Sequence, residues 1–166
     1  MKRFALYIIA LALTLICAAP ARAQAPTTTD EFKAIVLDSI RTGQALTVVQ
    51  SNIADVTVRW NGLLQRFQAH QANPCYYEPG HPEQCAAYDQ EAKDLQDEGQ
   101  RLINEHDSYV AQMGFMRSHF SINMARLRLA VFFGKFGPWV ERVKGCSLLP
   151  WETATKCLID AWEEHP

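Results

Sequence analysis

Between Leu46 and His70 the apolar residues recur in alternating steps of three and four: Leu46, Val49, Ile53, Val56, Trp60, Leu63 and Phe67, then His70. Two seam positions in every seven residues form a heptad pattern, which commits the segment to a long helix lying against another helix. Extended backwards, the seam runs through Thr42, Ser39, Ile35 and Phe32 and weakens at the two hydroxyl residues. A second seam follows in Tyr88, Ala92, Leu95, Gly99, Leu102, His106, Tyr109, Met113, Met116, Phe120, Asn123, Leu127 and Ala130.

The ends of these helices are marked by local chemistry. Thr28-Thr29-Asp30-Glu31 has the spacing of a capping box, in which Thr28 and Glu31 satisfy each other's free backbone N–H groups. Asn73-Pro74 should stop the helix, because the residue before proline is pushed out of the helical region. The first helix is therefore expected over residues 28–73, followed by a turn-rich tip over 74–85 bounded by Cys75 and Cys85. Pro82 suits a first helical position with Glu83 at the positive end of the dipole, and the body of the second helix is expected over 86–136, stopped by Gly137-Pro138. Residues 138–166 read as two short helices: Pro138 to Lys144, ended by Gly145, and one opened by Pro150 in which Trp151, Ala154, Leu158 and Trp162 recur.

If the chain doubles back at the Pro-Gly segment, the two seams meet at index sums that alternate between 159 and 158. Leu46 then faces Met113, Val49 Tyr109, Ile53 His106, Val56 Leu102, Leu63 Leu95 and His70 Tyr88. Trp60 against Gly99 and Phe67 against Ala92 set large side chains opposite small ones, so a core fills without overlap. The expected fold is all-α: a long antiparallel two-helix hairpin, coiled-coil-like, with a short C-terminal helical subdomain packed at its base. At about 1.5 Å per residue the hairpin would be about 65 Å long. Gly43 and Gly114 fall at nearly the same height and invite close approach or a bend.

Residues 1–23 have the form of a secretory signal: Lys2 and Arg3, an uncharged stretch from Phe4 to Cys17, and Ala21-Arg22-Ala23 before the cleavage point. The mature chain, one helical domain over 24–166, is expected in the periplasm or outside the cell. Loss of Lys2, Arg3 and Arg22 lowers the bases from 16 to 13 against 18 acids, a charge of −5, which argues against nucleic acid as a partner. Cys75, Cys85, Cys146 and Cys157 remain, and four cysteines in an exported chain point to two disulfides. Pairing Cys75 with Cys85 and Cys146 with Cys157 is expected, because cross-pairing would join tip to base.

Charge is segregated along the second helix. From Glu78 to Asp107 nine acids face two bases, and from Arg117 to Lys144 six bases face one acid. Two readings follow: intramolecular partners on a solvated face, or a bipolar surface whose acidic tip and basic, aromatic base meet different partners. Tyr76, Tyr77, Glu78 and His81 at the tip, with Arg126, Arg128, Trp139 and Trp151 at the base, are the candidate partner-binding residues. Ile103, Val110 and Ile122 lie off the seam and form a candidate second apolar stripe.

His106 falls on the seam, where it would set register or respond to pH. Glu78-Pro-Gly-His81 cannot be helical, no H-E-x-x-H occurs, and no metal or cofactor is expected. No nucleophile elbow, phosphate loop, haem-attachment or dinucleotide motif is present, so a non-catalytic protein is expected. The leading expectation is a protein-binding or adaptor protein of the bacterial envelope, with a protein partner or a second copy of itself. The alternative is a small-ligand, lipid or membrane-surface binding module using the aromatic, basic base.

Overall fold

Four helices occur among the described residues: α1 (Thr29–Gln71), α2 (Pro82–Arg128), α3 (Gly137–Cys146) and α4 (Trp151–Glu163). The computed structural model describes residues 24–73, 75, 82–131 and 136–164, with the backbone only for 82–84. The signal-like residues 1–23, Tyr76, Tyr77, Glu78 and His81 of the tip, and Phe132, Phe133 and Lys135 lie outside the described residues.

Thr28 is extended (φ −126°, ψ 155°) and its Oγ1 accepts from Glu31 N–H at 3.1 Å, which is the forward half of the expected capping box. The return half differs. Glu31 accepts from Thr27 N–H at 2.8 Å, and its other oxygen takes Arg126 Nη2 at 3.0 Å, so the carboxylate is shared between its own N-terminus and α2. At the far end, Ala72 N–H reaches Gln68 O at 3.2 Å and Asn73 Oδ1 accepts from Cys75 N–H at 3.0 Å, closing α1 just before Pro74.

α1 and α2 form the antiparallel hairpin. Val56, Leu63, Leu95 and Leu102 are buried in its stalk, with Trp60 and Tyr109 against them. Near the tip His70 stacks on Tyr88, ring centroids 3.7 Å apart at 9°, the pair expected from the index sum. Gly99 lies at the level of Leu63: a Cβ built there would sit 3.4 Å from Leu63 Cδ2. Phe67 departs from the seam and is 45% exposed, because Ala92, its expected partner, offers only a methyl to bury against.

α2 ends at Arg128, short of the expected 136. Leu129 N–H turns to Arg126 O and Ala130 N–H to Leu127 O, both at 3.2 Å, tightening the last turn, while Ala130 is carried into the core. Gly137-Pro138 therefore starts α3 instead of stopping α2. Proline in the first turn loses no bond, since that N–H has no intrahelical acceptor.

The base is a second, larger core. Phe32, Ile35, Val36 and Leu46 of α1, Phe120, Met124 and Leu127 of α2, Trp139, Val140 and Val143 of α3, and Leu158 of α4 are buried together. Wholly buried leucines such as Leu46, Leu127 and Leu158 contribute about 2–3 kcal/mol each. Ser39, the apparent weak point of the seam, is fully buried, and its Oγ donates to Ile35 O at 2.7 Å. The two disulfides pair as expected, with Cα separations of 5.7 Å (Cys75–Cys85) and 5.5 Å (Cys146–Cys157). Gly43 and Gly114 do not meet: a Cβ at Gly114 touches nothing within 4 Å, whereas one at Gly43 would lie 2.8 Å from Thr155 Cβ. The close approach is of α4 onto α1.

Candidate functional site

On either side of the hydrophobic seam the hairpin presents a flank, and the two flanks differ in kind. On one, Glu31, Asp38, Ala45, Asn52, Arg59 and Arg66 repeat every seven residues along α1, facing Glu91, Glu98, Glu105, Gln112, His119 and Arg126 along α2. Arg126 pairs with Glu31 at 3.0 Å, His119 Nε2 with Asp38 at 2.6 Å, Arg59 with Glu105 at 2.7 Å and Arg66 with Glu98 at 2.6 Å. One step on, His70 Nδ1 lies 2.9 Å from Glu91 Oε2.

The carboxyls respond to these partners. Hydrogen bonds from Arg66 and Arg59 outweigh burial and hold Glu98 and Glu105 below the usual carboxylate range. Burial pushes Asp38 up, but hydrogen bonds from Asn123 and His119 outweigh it and leave the carboxyl lowered. α1 is thus acidic where α2 is basic, near the base, and basic where α2 is acidic, near the tip. Much of the segregated charge is used between the helices, where it discriminates against slipped registers.

The opposite flank is built from Gly43, Gln50, Thr57 and Leu64 of α1 and Ile103, Val110, Arg117 and Met124 of α2, again every seven residues. Its base half is covered: α4 rests on Gly43 through Thr155, and Met124 is buried in the cluster against which Trp151 packs. Tipward of α4 the flank is open. A groove of about 330 Å³ is lined there by Val56, Thr57, Trp60, Leu102, Ile103, His106 and Asp107. Val56 and Leu102 form a buried apolar floor, Ile103 is 42% exposed at the wall and Val110, 47% exposed, continues the strip.

The candidate residues at the base are mostly used internally. Arg126 holds Glu31 and Gln24 O, and Arg128 donates from Nε to Ser147 O at 3.1 Å and also from Nη2 to the same oxygen, tying the loop after α2 to the loop after α3. Arg142 pairs with Glu164 at 3.0 Å, offsetting an acid at the C-terminal end of α4. Trp139 is a core residue, 7% exposed, edge-on to Phe32 at 5.2 Å with its indole N–H on Ala161 O at 2.9 Å. Trp151 is half-buried, and its Nε1 is buried with no hydrogen-bond partner among the described residues.

His106 is not enclosed between the helices. Its side chain is 46% exposed on the groove wall, with Nδ1 3.3 Å from Asp107 Oδ1, so charging it strands no ion in the core. Of the expected second stripe, Ile103 and Val110 belong to the open flank. Ile122 is exposed on another line, seven residues after the exposed Phe115. Thr57 and Leu64 join the open flank without belonging to either expected stripe, although their heptad position, one past the seam, marks them. Among the described residues no group of three His, Cys, Asp or Glu could hold a metal ion, and no helix is long and apolar enough to cross a membrane. Comparison with protein-family models, with curated proteins and with solved structures finds no match to this chain.

Proposed function

We propose that this is an exported, non-catalytic binding or adaptor protein of the bacterial envelope that engages a protein partner along the open flank of its hairpin. The groove at Val56, Trp60, Leu102 and Ile103 carries the reading: an apolar, uncharged floor left open beside a stretch of the same flank that α4 covers. Two cysteine pairs at disulfide distance fit an oxidising compartment, and the signal-like residues 1–23 are consistent with cleavage after Ala23. N-terminal sequencing of the exported protein tests that cleavage, with Gln24 as the expected first residue.

The test of binding is affinity capture from the native envelope with the intact protein and with Ile103→Arg. Loss of a captured protein in the variant, with helicity unchanged, supports the reading; identical capture by both proteins removes it. A second reading, contact with a membrane surface, is supported by the exposed Leu129, Val131, Leu148 and Leu149, on two loops that Arg128 ties together through Ser147. Co-sedimentation with vesicles containing anionic lipid tests it, and Leu148→Asp should abolish any binding seen.

A further inference from the structure

We propose that the open groove takes a basic amphipathic α-helix of a partner protein, laid along the hairpin in line with α4. The proposal rests on the protein-binding reading above and adds the chemistry of the partner. α4 shows what this flank accepts: an amphipathic helix whose Ala154, Thr155, Leu158 and Ala161 are buried while Glu152, Lys156 and Asp160 face water. In the base half this third helix packs onto α1, with Thr155 seated on Gly43. In the tip half the same heptad positions continue as Gln50, Thr57 and Leu64 against Val110 and Ile103, with no helix upon them among the described residues. From Gln50 to Gln71 the open strip is about 30 Å long, room for a helix of about 20 residues. Buried Val56 and Leu102 between Trp60 and Ile103 suit apolar side chains spaced three, four and seven apart on such a helix.

Charge selects the sign of the partner. Over residues 50–71 and 85–107 the hairpin carries eight acids and four bases, a balance of −4 that is unchanged once Glu98 and Glu105 are matched with Arg66 and Arg59 on the opposite flank. Asp107 is on the groove wall, and among the described residues no Lys or Arg lines the groove. A second copy of the chain docked strip to strip would set one acidic half against another. A helix with a basic polar face is steered in and held by the same field.

The test uses the intact, disulfide-bonded protein and two designed peptides of about 18 residues, a Leu/Lys amphipathic helix and its Leu/Glu counterpart. Binding is read by titration calorimetry and by tryptophan fluorescence, with Trp60→Phe assigning the signal to the groove. The Leu/Lys peptide is expected to bind, to weaken by about tenfold or more with Ile103→Arg or Thr57→Arg, and to weaken with added salt; the Leu/Glu peptide is expected not to bind. Both substitutions are at exposed positions, and circular dichroism reports whether the hairpin is kept.

Equal binding of the two peptides, or indifference to both groove variants, overturns the proposal. So does a dimer in light scattering that Ile103→Arg dissociates. If the Leu/Lys peptide fails while Ile103→Arg still releases a protein captured from the envelope, the basic-helix assignment falls and the protein-binding reading stands. If both fail, both fall.

Discussion

Gly43 of α1 lies directly beneath Thr155 of α4, close enough that a β-carbon on the glycine would overlap the threonine side chain. Gly43→Ala should therefore lift α4 off the hairpin and cost about 1–3 kcal/mol, as overpacking does in a well-filled core. Gly114→Ala meets nothing within 4 Å and should stabilise α2 by about 0.5–1 kcal/mol. Opposite shifts in urea midpoint check the pair; equal shifts would mean that α4 is not seated on Gly43.

The ladder of interhelical ion pairs predicts a rescue. Arg66→Glu sets a like charge beside Glu98, whose oxygen lies 2.6 Å from the guanidinium in the native pair, and should lower the melting temperature. Adding Glu98→Arg restores an opposite-charge pair across the same gap and should recover most of the loss. Thermal melts of the two single variants and the double variant measure this coupling, which should shrink as salt is raised.

Acid should weaken the fold through the same flank. Glu31, held mainly by the Thr27 backbone, and Glu98 and Glu105, held by their arginines, have carboxyls below the ordinary 4.5, and Asp38 lies below 3.8. A carboxyl depressed in the folded chain stabilises it once the unfolded chain has ionised, so this contribution is complete above about pH 5. It is lost as the pH falls through the lowered folded values. Melts between pH 7 and pH 2 should show stability level down to about pH 5 and falling below it, less steeply in Asp38→Asn.

Two tryptophans at the base should respond differently to the same change. Trp139→Phe removes the donor of a buried 2.9 Å hydrogen bond to Ala161 O and should cost about 1–2 kcal/mol. Trp151→Phe removes a buried N–H that has no partner among the described residues, and should be neutral to slightly stabilising. Denaturant titrations distinguish the two; a large loss at Trp151 would show that its indole N–H is satisfied in solution.

The hairpin was legible because its signals are local and repeated. Each heptad step from Leu46 to Leu63 adds a residue to the same stripe, and the stacking of His70 on Tyr88 follows once two stripes are matched about one turn. The end of α2 was not legible. The residues up to Phe136 are as apolar as a helix there would need, and what stops it is the burial of Ala130 and the grip of Arg128 on Ser147, contacts with a loop 19 residues away. Trp139 reads as a candidate partner-binding aromatic only while its surroundings are unknown, for burial depends on Phe32 and Ala161, more than twenty residues from it in either direction.

The sequence by itself determined an all-α hairpin, its antiparallel register and its cysteine pairing, since periodicity, proline placement and loop length act over a few residues at a time. It also contained the charges that form the interhelical ladder, but as a segregated run whose use was open. Only the tertiary structure decided which part of one flank α4 covers and which part it leaves bare. That choice turns on a single glycine admitting α4 at one height and on the helix beginning at Trp151, so that no described helix covers the apolar floor between Trp60 and Ile103.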